Sequence, residues 1–247
     1  MRISAMFLAS AALLATACNA EKGTSTTGNG AEVTAAPVPA PNNGDWSTIV
    51  TKTAEGGFLM GNPNAKVKLV EFGSMTCPHC AEFEEQGGKA LVDNYVKKGL
   101  VSWEFRNFVR DPYDMTATLL ARCGGEANFF GMTRTMFHDQ KNWIGKVQEA
   151  DPAQLQALQA APPAQQFSTI ADLAGLKTFA AQRGVPRAKA DQCLGNETEI
   201  NQLVQMNTDA GAYNIPGTPA FLINNSLVED VASWAQLEPK IKEALAS

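Results

Sequence analysis

The stretch KLVEFGSMTCPHC, residues 68–80, decides the fold predicted for this chain. Residues 68–74 have the apolar composition of a buried strand that runs into a loop, so the motif Cys77-Pro78-His79-Cys80 falls where a helix would begin. Two cysteines separated by two residues can exchange electrons between a dithiol and a disulfide within one helical turn. The pattern therefore predicts a redox site at the N-terminus of a helix.

Each residue of this motif has a predicted role. The unpaired N–H groups and the dipole of a helix N-terminus lower the pKa of a thiol there, which makes Cys77 the attacking thiolate. Cys80 lies one turn further along and is more shielded. Pro78 suits the first helical turn, where its missing N–H costs nothing. The imidazole of His79 is expected to stabilise the Cys77 thiolate further, which predicts a disulfide that readily oxidises other proteins.

Two alternatives to redox chemistry were considered for the paired cysteines. A C-x-x-C motif is also half of a zinc site, but the only other histidine is His138, and Cys123 and Cys193 are single and widely separated. The second alternative is an inert structural disulfide. The strand-to-helix context favours redox chemistry, so the sequence predicts no metal site and no organic cofactor.

The N-terminus has the organisation of an export signal. Met1-Arg2 precedes an apolar run, residues 3–14, and then Ala15-Thr16-Ala17-Cys18. A charged start, a short apolar region and a small-residue cleavage site are typical of a signal peptide, here residues 1–17. The run is too short for a permanent membrane span. Export predicts a location in the periplasm or cell envelope of a bacterium, where disulfides persist.

Cys18 leaves two interpretations open. Ordinary cleavage would leave it as a free first residue, whereas its position also resembles that of the lipidated cysteine of bacterial lipoproteins, although Ala15 stands where that family usually has leucine. We favour lipidation, because a lone N-terminal cysteine in an exported protein otherwise has no obvious role. Residues 18–45 are rich in Gly, Thr, Asn, Ala and Pro and are predicted to be a flexible linker.

The order of the remaining elements predicts an α/β fold with a helical insertion. Strands are expected at 67–72 and 101–109, a redox helix at 77–98, a hairpin at 220–224 and 227–229, and a final helix at 234–245. Residues 113–207 are mostly helical in pattern, with candidate helices at 115–123, 129–138, 151–160, 170–183 and 200–207. The predicted domains are therefore a thioredoxin-like domain, residues 46–112 and 208–247, and an all-helical insertion, residues 113–207. The net charge of −5 and the lack of a long basic run argue against nucleic acid as a partner.

This chain resembles the DsbA-like branch of the thioredoxin superfamily over about residues 57–246. The resemblance rests on Leu69-Val70-Glu71-Phe72 before the motif, the Cys-Pro-His-Cys motif, the inserted helical block, and Gly217-Thr218-Pro219-Ala220-Phe221 before the late hairpin. It implies a cis peptide bond at Pro219, which faces the active-site disulfide, and backbone hydrogen bonds from Thr218 to an extended substrate. It also implies that Glu71 is a buried acid, with a raised pKa, that moves protons for Cys80.

Cys123 and Cys193 both fall in the helical block. They can form a second, structural disulfide or stay as two buried free thiols, and export favours the disulfide. Closing a loop of about seventy residues would stabilise the fold by about 4 kcal/mol in the chain-entropy model.

The predicted function is that of an exported thiol:disulfide oxidoreductase that oxidises cysteine pairs of other exported proteins. Its expected partners are exported proteins with cysteine pairs and a membrane or periplasmic protein that resets the Cys77–Cys80 disulfide. His79 favours an oxidase, whereas Thr218 occupies the position where the best-known oxidases of this family carry valine. Isomerases and reductases of the family often carry threonine there. Isomerase or reductase activity is therefore an alternative, as is a lipoprotein that binds a partner through a thioredoxin scaffold without turnover.

Overall fold

A six-stranded mixed sheet carries the redox motif at the end of one of its central strands. The computed structural model describes residues 35–247. The predicted signal peptide, residues 1–17, and Cys18 lie outside the described residues. The strands occur in the order β1-β2-β4-β3-β5-β6 across the sheet. Their bounds are β1 Val50–Lys52, β2 Phe58–Met60, β3 Val67–Gly73, β4 Val101–Asn107, β5 Ala220–Ile223 and β6 Ser226–Val228.

The α-helices of the described chain are found in three places: after β3, between β4 and β5, and at the C-terminus. Their bounds are α1 Pro78–Phe83, α2 Lys89–Leu91, α3 Pro112–Cys123, α4 Glu126–His138, α5 Gln140–Gln148, α6 Pro152–Ala160, α7 Pro163–Leu173, α8 Leu176–Ala181, α9 Arg187–Leu194, α10 Glu197–Ala210 and α11 Trp234–Ala246. Between α1 and β4 the backbone stays helical through two wider π-helical stretches, Glu84–Gly88 and Val92–Val96, which flank α2.

The centre of the sheet is a parallel pair joined by the redox helix. β3 and β4 pair in parallel from Val67 opposite Val101 to Gly73 opposite Asn107. Parallel neighbours require a crossover, and the helical segment from α1 onward supplies it. On its other side β3 pairs antiparallel with β5, which brings residues just before Ala220 to the end of the sheet where the redox loop begins.

Within the helical block, α3 to α10, α4 packs on one face of the sheet through aromatic side chains, whereas Ala210 at the end of α10 belongs to a second buried cluster with Val70 and Phe72. The ring of Phe129 stacks on Phe58 of β2 with a centroid distance of 4.0 Å, and Phe130 packs on Trp103 of β4 at 4.9 Å. These side chains belong to one continuous buried cluster that also contains Cys77 and Cys80. The block and the redox site therefore share a hydrophobic core, which limits how independently they can move.

The predicted fold class, an α/β thioredoxin-like fold with a helical insertion, is confirmed. Several predicted elements differ in detail. The antiparallel hairpin of β1 and β2 was not predicted, because its three-residue strands are too short to show periodicity. The structure places eight helices between β4 and β5 instead of five, and α5 and α9 fall in stretches predicted as loops. Gly175 has a φ of +71° and separates two helices where the sequence predicted one, residues 170–183.

The described part of the predicted linker, residues 35–45, contacts the folded domain through Val38. The backbone N–H of Val38 donates to the carbonyl of Lys98 at 2.8 Å, and the indole N–H of Trp46 donates to the carbonyl of Val38 at 2.9 Å. Composition alone did not predict these bonds, because each of them uses a backbone group of Val38. Between residues 35 and 247, the helices are all too short or too polar to cross a membrane.

Candidate active site

Cys77 and Cys80 lie at the N-terminus of α1, where the loop from β3 ends. Cys77 is the N-cap residue with extended backbone angles, and Pro78 occupies the first helical position. Both cysteines are reduced and buried, with 3% and 0% of their surface exposed. The site thus has the strand-to-helix placement that the sequence predicted, and the structure describes its dithiol form.

The two thiols have opposite acidities. The pKa of Cys77 is lowered to about 5, first by a hydrogen bond from the Cys80 side chain and then by Thr218 and by the backbone N–H groups of Cys80 and His79, against the effect of burial. The pKa of Cys80 is raised well above its ordinary value, chiefly by burial and then by its interaction with Cys77. At neutral pH Cys77 is therefore a thiolate and Cys80 a thiol.

The imidazole of His79 lies beside Glu82 and makes no hydrogen bond to Cys77 among the described residues. Its side chain is 70% exposed, and its Nδ1 lies 3.5 Å from a carboxylate oxygen of Glu82 on the same helix. The contribution of His79 to the Cys77 thiolate comes from its backbone N–H. Any residue other than proline would supply that backbone donor. The exposed imidazole is available to solvent or to a bound protein.

The loop before β5 faces the sulfur of Cys77. The Thr218–Pro219 peptide bond is cis, and in its protonated form the Cys77 thiol donates to the carbonyl oxygen of Thr218 at 3.1 Å. The hydroxyl of Thr218 is buried and has no well-aligned hydrogen-bond partner within residues 35–247. Because the Thr218 side chain also lowers the pKa of Cys77, this hydroxyl is available as a donor to the thiolate.

Glu71 lies inside the sheet beneath the motif. It is 1% exposed on β3, and one carboxylate oxygen accepts a 3.1 Å hydrogen bond from the indole N–H of Trp103. Burial raises its pKa well above the usual range, and the nearby Glu84 raises it further. Glu71 also raises the pKa of Cys80 by its charge, so the two groups interact electrostatically.

The helical block holds the redox loop, residues 74–77, with two buried polar side chains that the sequence analysis did not single out. Asp114 on α3 accepts hydrogen bonds from the Ser74 hydroxyl at 2.6 Å and the Met75 N–H at 2.8 Å. The Gln140 side-chain nitrogen on α5 donates to the carbonyl oxygens of Met75 and Cys77, each at 2.9 Å. The sequence could have indicated Asp114, because it lies in the first turn of the helix that Asp111-Pro112 begins. Nothing in the sequence indicates that Gln140 is buried.

Cys123 and Cys193 are joined by a disulfide that links the end of α3 to the last turn of α9, with a Cα–Cα distance of 5.8 Å. The bond lies in the wall of an open cavity of about 480 Å³, away from Cys77 and Cys80. It ties two helices of the block together and takes no part in the site described above.

Fold and site together define a thioredoxin-fold protein with a redox-type dithiol at a helix N-terminus and a cis-proline loop opposite it. The sequence model of a family described as thioredoxin matches residues 53–243, so the chain belongs to that family. A solved DsbA structure shares its fold.

Three comparisons with known proteins illustrate this. A protein-disulfide isomerase from Novosphingobium aromaticivorans is 38% identical, with a TM-score of 0.73 over 76% of this chain and 97% of that chain. The α-DsbA1 of Wolbachia pipientis shares the fold at 19% identity, with a TM-score of 0.61 over 85% of this chain and 94% of the other. A protein of Rickettsia bellii, provisionally named a protein-disulfide oxidoreductase, is 33% identical over 74% of this chain and 62% of its own length. The chain spans between 56% and 62% of the length of this and two other rickettsial relatives.

Proposed function

We propose that this protein is an exported thiol:disulfide oxidoreductase that oxidises cysteine pairs of other exported proteins through a Cys77–Cys80 disulfide. The observation that carries the proposal is the opposite acidity of the two thiols, with the pKa of Cys77 lowered to about 5 and that of Cys80 raised. A stable Cys77 thiolate stabilises the reduced protein, which makes the corresponding disulfide oxidising. The names of the similar isomerase and of the rickettsial relatives support activity on protein disulfides.

The first step is attack of a substrate thiolate on Cys77 of the oxidised protein. A bond forms between the substrate sulfur and the Cys77 sulfur while the Cys77–Cys80 bond breaks. The electron pair of that bond goes to Cys80, whose raised pKa favours uptake of a proton. Glu71, buried and protonated, supplies this proton in the proposal.

The second step releases the oxidised substrate. A second substrate thiolate attacks the substrate sulfur of the mixed disulfide, and the electron pair of the broken bond goes to Cys77. Cys77 is the better leaving group because its pKa is low, so the exchange runs towards the substrate disulfide. Two electrons have then passed from the substrate to the protein. A membrane or periplasmic redox partner would remove them and restore the Cys77–Cys80 disulfide.

The cis Thr218–Pro219 loop is the proposed substrate-binding segment. It lies within hydrogen-bond distance of Cys77, so an extended peptide placed along its backbone would bring a cysteine to the reactive sulfur. Backbone recognition is independent of side-chain identity, which suits an enzyme that acts on many proteins.

Disulfide isomerisation or reduction is the second candidate function. It is favoured by the 38% identity to a protein-disulfide isomerase and by threonine at position 218. In this direction the Cys77 thiolate attacks a substrate disulfide and Cys80 releases the mixed disulfide. The chemistry uses the same groups, so the equilibrium constant of the dithiol decides between the two candidates.

Two refolding assays test the enzymatic proposal. We expect the wild type to oxidise reduced ribonuclease and Cys77→Ala to be inactive, while the double variant Cys123→Ala/Cys193→Ala stays active. Repair of scrambled ribonuclease measures the isomerase activity. If the wild type and Cys77→Ala are equally inactive in both assays, the protein is a binding scaffold and not an enzyme. Equilibration with glutathione then gives the reduction potential of the Cys77–Cys80 pair. An oxidising potential selects oxidase, and a strongly reducing potential selects reductase.

Export and lipidation form a separate part of the proposal. The sequence of residues 1–17 and the position of Cys18 support cleavage before Cys18 and anchoring of the mature protein by lipid. Mass spectrometry of the protein expressed in a bacterial host tests this. A mature N-terminus at Cys18 with a diacylglyceryl mass supports the anchor, and Cys18→Ser should then be released from the membrane. A free Cys18 thiol on a soluble periplasmic protein would contradict the anchor while leaving export in place.

A further inference from the structure

We propose that Gln140 is a positioning residue through which the helical block holds the redox loop in the conformation that activates Cys77. This inference rests on the proposed function and extends it from the reacting groups to a side chain of the inserted block. Gln140 is 4% exposed and is the first residue of α5, more than sixty positions from the loop that it contacts.

The contact is a bridge between two backbone carbonyls. A single amide nitrogen of Gln140 donates one hydrogen bond to Met75 and one to Cys77, both at 2.9 Å. Among uncharged side chains, only Asn and Gln have an amide nitrogen with two donors, and Gln reaches one methylene further. The two carbonyls flank Thr76, so the bridge fixes the path of the backbone that enters Cys77.

The opposite side of the same loop is held from α3. Asp114 accepts from the Met75 N–H, so both polar groups of Met75 are bonded to side chains of the helical block. The guanidinium of Arg110 donates to the hydroxyls of Ser74 and Thr76 at 2.9 and 3.0 Å. Gln140 is the side chain by which the helical block binds the carbonyl of Cys77 itself.

Gln140 is well placed for this role because its own helix is anchored. Trp143, one turn further on, is 1% exposed, and its indole N–H donates to the carbonyl of Met136 at 3.1 Å. The side chain of Gln140 therefore extends from a fixed backbone, and its amide restrains the loop.

The link to chemistry is the orientation of Cys77. The carbonyl of Cys77 also accepts the first helical hydrogen bond of α1, from Ala81 at 3.3 Å. The angle of this peptide sets where the Cys77 sulfur lies relative to the N–H groups of His79 and Cys80 and to Thr218. If Gln140 no longer binds the two carbonyls, the loop has to rotate to find other donors, and the Cys77 sulfur loses alignment with the groups that favour its thiolate.

The test compares Gln140→Met with Gln166→Met as the matched control. Methionine has nearly the length of glutamine but no donors. Gln166 also lies in the helical block and also donates to a backbone carbonyl, that of Leu158 at 3.2 Å, far from the redox loop in the chain. The readout is the pH midpoint of Cys77 ionisation. It is measured from the thiolate absorbance and from the rate of alkylation with iodoacetamide. We expect Gln140→Met to raise the midpoint by about one unit, and so to lower the thiolate fraction at pH 5 about fivefold, while Gln166→Met leaves it unchanged.

Several results would overturn the inference. An unchanged midpoint in folded Gln140→Met, or the same shift in both variants, would show that the bridge has no specific role. If Gln140→Met does not fold, Gln140→Glu replaces it, since the carboxylate has the same size but repels the two carbonyls; it should raise the midpoint at least as much. Rapid hydrogen exchange of the Gln140 side-chain amide in the wild type would show that the bridge does not form. A wild-type midpoint near the ordinary cysteine value would instead refute the proposed function itself.

Discussion

The sulfur of Cys77 lies 3.1 Å from the backbone carbonyl oxygen of Thr218, a residue 141 positions further along the chain. The contact joins the two halves of the sheet that the helical block separates in sequence. It places the reactive sulfur against the segment proposed to bind substrate, and it puts the Thr218 hydroxyl, which has no partner among residues 35–247, beside the thiolate. Two predictions follow from this pair of residues and three from other parts of the fold.

Replacing Thr218 by valine should raise the pKa of Cys77 by about one unit, because the thiolate loses a hydroxyl donor that lowers it. The shape of the side chain is kept, so the cis-proline loop should keep its position. Thiolate absorbance against pH measures the shift. Thr133→Val is the matched control, because the hydroxyl of Thr133 is also buried without a partner but lies on α4. A shift of equal size in both variants would contradict a direct role for Thr218.

Reduction of the Cys77–Cys80 pair should make the protein more stable at neutral pH, and the gain should depend on pH. The pKa of Cys77 is lower in the folded state than in the unfolded chain. Its contribution to the free energy of unfolding is therefore fully present above the ordinary cysteine value of about 9, and it is lost as the pH falls through about 5. Urea unfolding of both forms between pH 5 and 9 measures this. Cys77→Ser, which cannot form the thiolate, should lack the part of the pH-dependent stability of the reduced wild type that comes from Cys77.

Glu71→Gln should slow the step in which Cys80 gains or loses its proton. Glutamine can still accept from the indole of Trp103, so the fold should be retained, but it cannot carry the proton. The measurement is the rate at which a mixed disulfide at Cys77 is resolved by Cys80, followed between pH 6 and 9. Glu85→Gln, an exposed position beyond the end of α1, serves as the control and should resolve at the wild-type rate. Equal rates for Glu71→Gln and wild type across this range would remove Glu71 from the mechanism.

Asp114 should make the stability fall as the pH rises from about 4 to about 6. Burial is the first cause that raises its pKa from 3.8 to about 6 in the folded protein, with Asp111 adding to it, so the folded state holds the proton more tightly than the unfolded chain does. Its ionisation then costs on the order of 2–3 kcal/mol across this interval. The difference in unfolding free energy between wild type and Asp114→Asn isolates this contribution from those of other carboxylates. A difference that stays constant between pH 4 and 6 would show that the carboxyl titrates normally.

Removal of the Cys123–Cys193 disulfide should destabilise the protein by ~4 kcal/mol, because the bond closes a loop with a sequence separation of 70. The double variant Cys123→Ala/Cys193→Ala is best compared with its parent in a Cys77→Ser/Cys80→Ser background, where only this bond can form. Urea unfolding gives the difference. Since the bond lies away from the redox site, the ionisation of Cys77 in the otherwise wild-type protein should not change. A shift of that midpoint would indicate coupling between the two cysteine pairs.

The sequence predicted the fold through local patterns. Residues 67–73 form a strand because most of them are apolar and two are valines, and the motif at 77–80 begins a helix because proline suits the first turn. Short elements carried no such pattern, which is why the β1–β2 hairpin and α5 were missed. Missing α5 also meant missing Gln140, since a polar residue in a predicted loop gives no sign that it is buried.

The sequence by itself determined which residues can do chemistry: a pair of cysteines one turn apart, an acid on the strand before them and a threonine-proline pair before the late hairpin. The cysteine pair follows from residue type and spacing along the chain, whereas Glu71 and the Thr218-Pro219 pair follow from the family resemblance that the sequence carries. Only the tertiary structure decided which groups set the acidity of Cys77. They include the Thr218 side chain and backbone N–H groups of α1 in place of the His79 imidazole, and the loop that holds Cys77 is itself held by Gln140 and Asp114. The physical reason is that a hydrogen bond requires a donor and an acceptor about 3 Å apart, and packing of the helical block against the sheet brings distant residues to that separation.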